Sequence, residues 1–313
     1  MAFLFGKKEL TFIDLFAGIG GFHLGLQKAG MKCVLACEID KYARKTYEEN
    51  HKKHSPELFE SGNFVEDIRN INPKSMTDFD ILCAGFPCQP FSQAGQKKGF
   101  QDTDDDRGNM FFEIMRIVKE KKPKVLLLEN VRHIVKHDNG RTFKIIQETI
   151  EKNNYTFNWK IVKASEHGLP QHRPRIYMVC FRKDLNTKPF EYPTPRKLEF
   201  TMSDVFQGKC NKEVGFTLRV GGKSSGIDDR RNWDTYLVNG KITKLNKQHG
   251  KKMLGFPDNF EFPVSDTQAM KQLGNSVAVN SVYDIAQKIK HTLETAINLE
   301  KKEKPRRQLE LGL

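Results

Sequence analysis

Apolar positions along the first half of the chain follow two alternating patterns. Short, nearly continuous apolar runs read as buried strands: Glu9–Phe16, Lys32–Glu38, Phe79–Ala84 and Lys124–Asn130, then Thr156–Lys163 and Arg175–Phe181. Between them apolar residues return every three or four positions, as a half-buried helix requires. These stretches are one running on to Leu26, then Lys41–Asn50, residues 109–121 and Thr142–Lys152. In residues 109–121, Phe111, Ile114, Met115 and Val118 share one face. Strand–helix alternation of this kind predicts an α/β fold with a doubly wound, mostly parallel sheet.

The pattern breaks near Asp184. Residues 184–273 are rich in Lys, Pro, Gly, Asn and Asp, with short apolar runs and no long helix predicted. They read as a second, smaller domain, irregular or β-rich. A helical period returns beyond Gly274-Asn275-Ser276, where Val279, Val282, Ile285, Ala286, Ile289 and Leu293 share a face. That helix is expected to pack back on the first domain and make it discontinuous, as residues 1–183 plus 274–313, with 184–273 inserted. Residues 301–313, with Pro305 and five Lys/Arg, are expected to fray. The sequence carries no internal repeat.

A chain of 313 residues has room for one large core and a smaller one. No apolar stretch is long enough to span a bilayer, and the start lacks the pattern of a signal peptide. The six Cys form no paired framework, and Cys33 and Cys37 have no matching pair downstream, which argues against zinc. A reducing cytoplasm fits best. The formal charge is +13, and residues 182–252 hold 16 Lys/Arg against 8 Asp/Glu. Such an excess favours a polyanionic partner, although a plain solvated surface gives the same count.

Candidate chemistry sits at strand ends. Cys88 follows Ala84-Gly85-Phe86-Pro87, a Gly/Pro-rich loop at the rim of a sheet, where α/β enzymes do chemistry. A lone Cys there is more often a small buried hydrophobe. Asp14-Leu15-Phe16-Ala17-Gly18-Ile19-Gly20 follows the first strand and opens a helix, and its glycines allow close approach of a ligand. Glu38, about twenty residues on, can accept hydrogen bonds from ribose hydroxyls. Alone, this loop says only that the cofactor resembles a nucleoside, and a structural turn is the bland alternative. Glu129 ends another strand, where apolar neighbours raise a carboxyl pKa and suit it to proton or hydrogen-bond donation. Arg173 and Arg175, two apart on an extended segment, point the same way and can grip a base carbonyl or a phosphate.

Together these blocks resemble the C5-cytosine DNA methyltransferases, especially the compact bacterial restriction–modification enzymes. The matching blocks are Asp14–Gly18, Pro87-Cys88-Gln89, Glu129-Asn130-Val131, Gln171-His172-Arg173-Pro174-Arg175, Thr217-Leu218, Gly255-Phe256-Pro257-Asp258 and Gly274-Asn275-Ser276-Val277. They occur in the family's order and span the chain from Thr11 to about Ile289. The resemblance implies a methyltransferase fold with a small target-recognition domain, and transfer of a methyl group from S-adenosyl-L-methionine to carbon 5 of a flipped-out cytosine in duplex DNA. S-adenosyl-L-homocysteine is the product. Cys88 is then the nucleophile at carbon 6, Glu129 binds N3 and the exocyclic amine, and Arg175 holds O2 with Arg173 nearby.

The resemblance places Asp14, Phe16, Ala17, Gly18, Gly20, Glu38, Ile39, Asp67, Ile68, Pro87, Asn275 and Ser276 around the cofactor. It gives DNA contacts to Gln89, Ser92 and Arg107 on a mobile loop, and to Arg219, Gly221, Gly222, Lys223, Ser224, Arg230 and Arg231 in the recognition region. No metal is implied. The family acts as a monomer without a membrane, in some systems beside a cognate restriction endonuclease, and the resemblance implies a bacterial or phage-encoded origin. Two departures stand out. Asp102–Asp106 lengthens the acidic part of the catalytic loop, and residues 184–216 are short for a recognition region. A transfer-RNA cytosine-5 methyltransferase and a catalytically silent DNA-binding relative are the alternatives, with an NAD-dependent oxidoreductase behind them because it leaves Cys88 and Glu129 unexplained.

Overall fold

The computed structural model describes residues 9–87, 110–221 and 226–310, the stretch 297–310 by its backbone alone. Seven strands form the main sheet: β1 (Thr11–Leu15), β2 (Lys32–Cys37), β3 (Phe64–Val65), β4 (Ile81–Gly85), β5 (Val125–Val131), β6 (Asn158–Lys163) and β7 (Pro174–Phe181). Their order is β3-β2-β1-β4-β5-β7-β6. Neighbours are parallel as far as β5, while β7 runs antiparallel to both β5 and β6. This is the doubly wound sheet that the alternation predicts. Chain order reverses between β1 and β4, which opens a crevice at their C-terminal ends.

Alternate residues along each strand belong to opposite faces, as a period of two demands. Phe12, Ile81, Leu127 and Val179 join one apolar cluster with Leu26 of α1 (Gly21–Lys28). Ile13, Leu82, Leu126 and Met178 join another with Ile114 and Val118 of α4 (Met110–Lys121) and Ile146 of α5 (Arg141–Lys152). Both faces are covered, so the strands show continuous apolar runs rather than alternation. Helices α2 (Lys41–His51) and α3 (Pro56–Glu60) connect β2 to β3.

Beyond β7 come α6 (Met202–Phe206), the antiparallel pair β8 (Thr235–Val238) and β9 (Lys241–Lys244), then α7 (Lys247–Leu254), α8 (Asp266–Asn275) and α9 (Val279–Glu310). Asn239 and Gly240, both at positive φ, make the tight turn between β8 and β9. Helices α7 and α8 are more regular structure than the composition of 184–273 suggested. Each has a side-chain cap: Asn246 accepts from the N–H of Gln248 and His249, and Ser265 from Gln268. A third apolar cluster joins Leu218, Trp233, Tyr236, Met253 and Leu273 to Ile19, Ala164 and Leu169, so this region packs against the first.

Helix α9 returns to α1 as expected. A Cβ at Gly25 would lie 2.5 Å from a Val282 methyl, and the Lys290 ammonium donates to the Ala29 carbonyl at 3.0 Å. The expected fraying from residue 301 is corrected: the backbone stays helical through Pro305 to Glu310. Among the described residues, no helix is long and apolar enough to cross a membrane.

Candidate active site

The rim is built where β1, β4 and β5 end and β7 begins. Pairing sets Gly85 opposite Glu129, Glu129 opposite Tyr177, and Val131 opposite Arg175. Glu129 and Arg175 share a sheet face and form an ion pair, with the Arg175 Nε 3.0 Å from a Glu129 carboxylate oxygen. Both side chains are largely buried. Burial pushes the Glu129 pKa up, and the positive charges of Arg175 and then Arg173 draw it part of the way back. The result is a carboxyl that holds a proton more readily than an exposed one, next to a fixed cation. Its second oxygen faces Gly85, where even a Cβ would sit 3.5 Å away.

Asn130 completes this corner. Its Nδ2 donates to the Phe86 carbonyl at 2.9 Å, and its own oxygen accepts from the Val131 N–H at 2.8 Å. The segment that leads to Cys88 is therefore fixed as far as Phe86, while Pro87 is exposed. Cys88 itself lies outside the described residues, as do Gln89, Ser92, Arg107, Gly222, Lys223 and Ser224.

Arg173 needs a correction in role. It is wholly buried, and its guanidinium donates to three carbonyls: Leu218 at 3.4 Å, Gly274 at 3.0 Å, and Ser276. Burial lowers its pKa to about 9, with the like charge of Arg175 adding to the fall. Its two terminal nitrogens are committed to backbone oxygens while its buried Nε has no hydrogen-bond partner, and Arg173 thereby ties the start of β7 to Leu218 and to the segment before α9. Arg175 alone is turned to Glu129.

The second part of the site is the turn after β1. Phe16, Gly18 and Gly20 all have positive φ, and Gly20 starts α1 with no side chain capping its first N–H groups. Nothing lies within 4 Å of a Cβ placed at Gly18, so the turn faces open space. Glu38 is fastened beside it by two N–H donors, Gly18 and Asp40, each at 2.7 Å. Burial raises the Glu38 pKa, and those N–H groups oppose the rise. Ile39 is 59% exposed although apolar, and Phe16, in the turn itself, is half-buried. Ser276 lies against Gly21, where a Cβ would meet its hydroxyl at 2.9 Å, and Asn275 is exposed.

The Asp14 carboxyl is fully buried with neither oxygen hydrogen-bonded, so it sits under the turn rather than on its surface, and burial drives its pKa well up. Asp67 is engaged by Arg69, whose backbone N–H and guanidinium both donate to it. Ile68 is buried in the core. Sequence reasoning also missed Arg44, which donates to the carbonyls of Glu38, Phe64 and Val65 and fixes the ends of β2 and β3. An Arg on the inward face of an amphipathic helix was its only signal.

An open space beside Gly18, a fastened carboxylate with spare lone pairs, and an exposed apolar residue fit the ribose and base of a nucleoside cofactor. The sheet order and the rim pair define the class: a methyltransferase of the doubly wound type. The sequence profile of the family described as C-5 cytosine-specific DNA methylase matches residues 10–220 and 212–291. Type II methyltransferase M.HhaI of Haemophilus parahaemolyticus is 39% identical over 328 residues, covering 91% of this chain and 97% of the relative. Type II methyltransferase M1.ScrFI of Lactococcus lactis subsp. cremoris is 42% identical over 318 residues, covering 90% and 78%. Among solved structures, a mutant DNMT2 of Spodoptera frugiperda shares the fold, with a TM-score of 0.68 at 17% identity over 90% of this chain and all of that one. The chain belongs to the C-5 cytosine-specific DNA methylase family. It is a DNA cytosine-5 methyltransferase whose methyl donor is S-adenosyl-L-methionine.

Proposed function

We propose that methylation proceeds through a transient bond between the Cys88 sulfur and carbon 6 of an extruded cytosine. The observation that carries this reading is the Glu129–Arg175 pair, held opposite Gly85 at the rim, three residues before Cys88. Carbon 5 of cytosine is a poor nucleophile until carbon 6 gains electrons. The Cys88 thiolate attacks carbon 6. Glu129, its pKa raised by burial, holds a proton toward N3 and offsets the charge that develops on the ring. Arg175 fixes the Glu129 carboxylate and offers its remaining N–H groups to O2. S-adenosyl-L-methionine, when bound, supplies the methyl group that carbon 5 takes. Water then takes the carbon-5 hydrogen as a proton, and the electron pair left behind forms the 5,6 double bond, breaks the carbon 6–sulfur bond to expel the Cys88 thiolate and restores the aromatic ring.

Phe16, Gly18, Glu38 and Ile39 form the proposed cofactor cradle, with Ser276 and Asn275 at its far side. Glu38 accepts from the ribose hydroxyls. Residues 184–273 form the proposed recognition domain, with exposed Arg219, Gly221, Arg230 and Arg231 facing duplex DNA. Extruding the base costs a few kcal/mol of stacking and pairing. The enzyme acts as a cytoplasmic monomer and protects host DNA beside a cognate restriction endonuclease, without a stable complex.

The covalent step is tested with duplex DNA carrying 5-fluorocytosine, whose fluorine blocks the elimination. Mass spectrometry is expected to show protein joined to DNA through Cys88. The Cys88→Ala variant is expected to bind DNA yet neither form the adduct nor transfer methyl groups. Binding without an adduct in the unaltered enzyme sinks the addition step.

A further inference from the structure

Helix α2 carries Arg44, Tyr47 and His51 at i, i+3 and i+7, one helical face. All three reach toward the cofactor side of the fold. Arg44 holds the carbonyl of Glu38 and lies over the Phe64 ring at 4.1 Å. Tyr47 stacks on Phe64 with centroids 4.8 Å apart. His51, the last residue of the helix, is buried with its ring 4.3 Å from Tyr47 and stacked 4.2 Å from His23.

The edge of the His51 ring lies directly under the cofactor turn. A Cβ at Gly20 would fall 2.0 Å from His51 Nε2, so ring and glycine backbone touch. The same nitrogen is 3.3 Å from the Ile19 carbonyl. A carbonyl can only accept, so Nε2 carries the hydrogen. His23, in the first turn of α1, is held in place by the Tyr47 hydroxyl, 2.6 Å from Nδ1, and by Ser55, 3.4 Å from Nε2. The turn is thus open above, at Gly18, and supported from beneath by an imidazole.

We propose that His51 is a positioning residue for the methyl donor: its neutral ring, donating to Ile19, holds the Gly18–Gly20 turn in its left-handed form. Glycines in that form are conformationally cheap but soft, because they reach many other backbone states as easily. A turn that must aim its N–H groups at a ligand binds more tightly when a rigid partner fixes it beforehand. The surroundings keep the ring neutral. Burial lowers the His51 pKa to about 4, against a weaker upward pull from the Ile19 carbonyl, and a proton on Nδ1 would be added inside the core. Facing it are His23 from α1, Tyr47 on α2 and His54 just past that helix, with Asp14 on β1 and Cys33 on β2 beyond them.

The inference rests on the cofactor lying against this turn, and the experiment separates the two. Titration calorimetry with S-adenosyl-L-homocysteine is run on the full chain, with steady-state kinetics alongside. His51→Ala is expected to weaken binding about tenfold, the scale of one lost buried hydrogen bond. It should raise the KM for the methyl donor while kcat at saturation is retained. His51→Gln sets an amide N–H near the place of Nε2 and is expected to recover most of the affinity. Should His51→Ala not fold, His51→Asn replaces it, because its shorter amide cannot reach Ile19. Glu38→Ala reports on the cradle itself. If Glu38→Ala loses affinity and His51→Ala does not, the positioning role is overturned. An equal loss in His51→Ala and His51→Gln overturns it too. Unchanged affinity in Glu38→Ala instead removes the cofactor from this turn.

Discussion

Glu129 would be unstable as an isolated buried carboxylate, and one guanidinium relieves it. Removing Arg175 leaves the charge in place without its partner, so Arg175→Ala is expected to destabilise the fold by about 3 kcal/mol, the range for breaking a largely buried pair. The sign with pH follows from Glu129. Its pKa in the fold is raised above the usual value, so the folded state holds that proton more tightly than the unfolded chain does. Its unfavourable contribution therefore grows as pH rises through the raised pKa and fades as pH falls. Without Arg175 the pKa climbs further. The deficit of Arg175→Ala, followed by urea titration, is expected to be largest at neutral and alkaline pH and to shrink on acidification. A deficit that grows toward acid would contradict the pairing. The type and place of Glu129 and Arg175 were readable, because each ends or begins an apolar strand. The burial of Asp14 and the turning of Arg173 onto three carbonyls were not: the first follows from how the sheet is covered, and the second depends on partners more than forty residues away in sequence.

At the scale of elements, the strands and helices of the first half were legible because each apolar run is long and bounded by polar turns. Helices α7 and α8 were obscured: they are short, and the Lys, Asn and Gly around them dominate the composition. The packing of α9 on α1 was legible as an apolar stripe, but not its closeness. That closeness depends on Gly25, where Val282 fills the volume a side chain needs. Gly25→Ala sets two effects against each other. Alanine favours the helix by about 1 kcal/mol. A Cβ 2.5 Å from the Val282 methyl forces the helices apart or the rotamer off its minimum, at about 1–3 kcal/mol. The clash is expected to win, giving a lower melting temperature. Adding Val282→Ala removes the methyl but leaves the Val282 Cβ 2.7 Å from the new one, so it should recover only part of the loss; a melting temperature unchanged or raised in Gly25→Ala would show that the two helices do not meet there.

For the whole molecule, the excess of positive charge favoured a polyanionic partner before any site was visible, yet charge counts alone did not say which cations are free. The structure divides them. Arg231 is neutralised by Asp229, which accepts from its backbone and guanidinium. Arg219 and Arg230 are exposed and, among the described residues, have no ion pair. If these side chains meet DNA phosphates, each releases a counterion, and the logarithm of affinity falls with the logarithm of salt by about 0.9 per phosphate. Arg219→Ala and Arg230→Ala are each expected to flatten that slope by about one unit, whereas Arg231→Ala should change it little, because its charge is already compensated. A different outcome distinguishes base contacts. Arg219→Ala or Arg230→Ala would then leave the salt slope unchanged, and bisulfite sequencing of host DNA would reveal relaxed target choice, as loss of a guanidinium reading guanine predicts. If neither slope nor target changes, the free cations of this region do not face DNA, and the excess charge acts only through the long-range field.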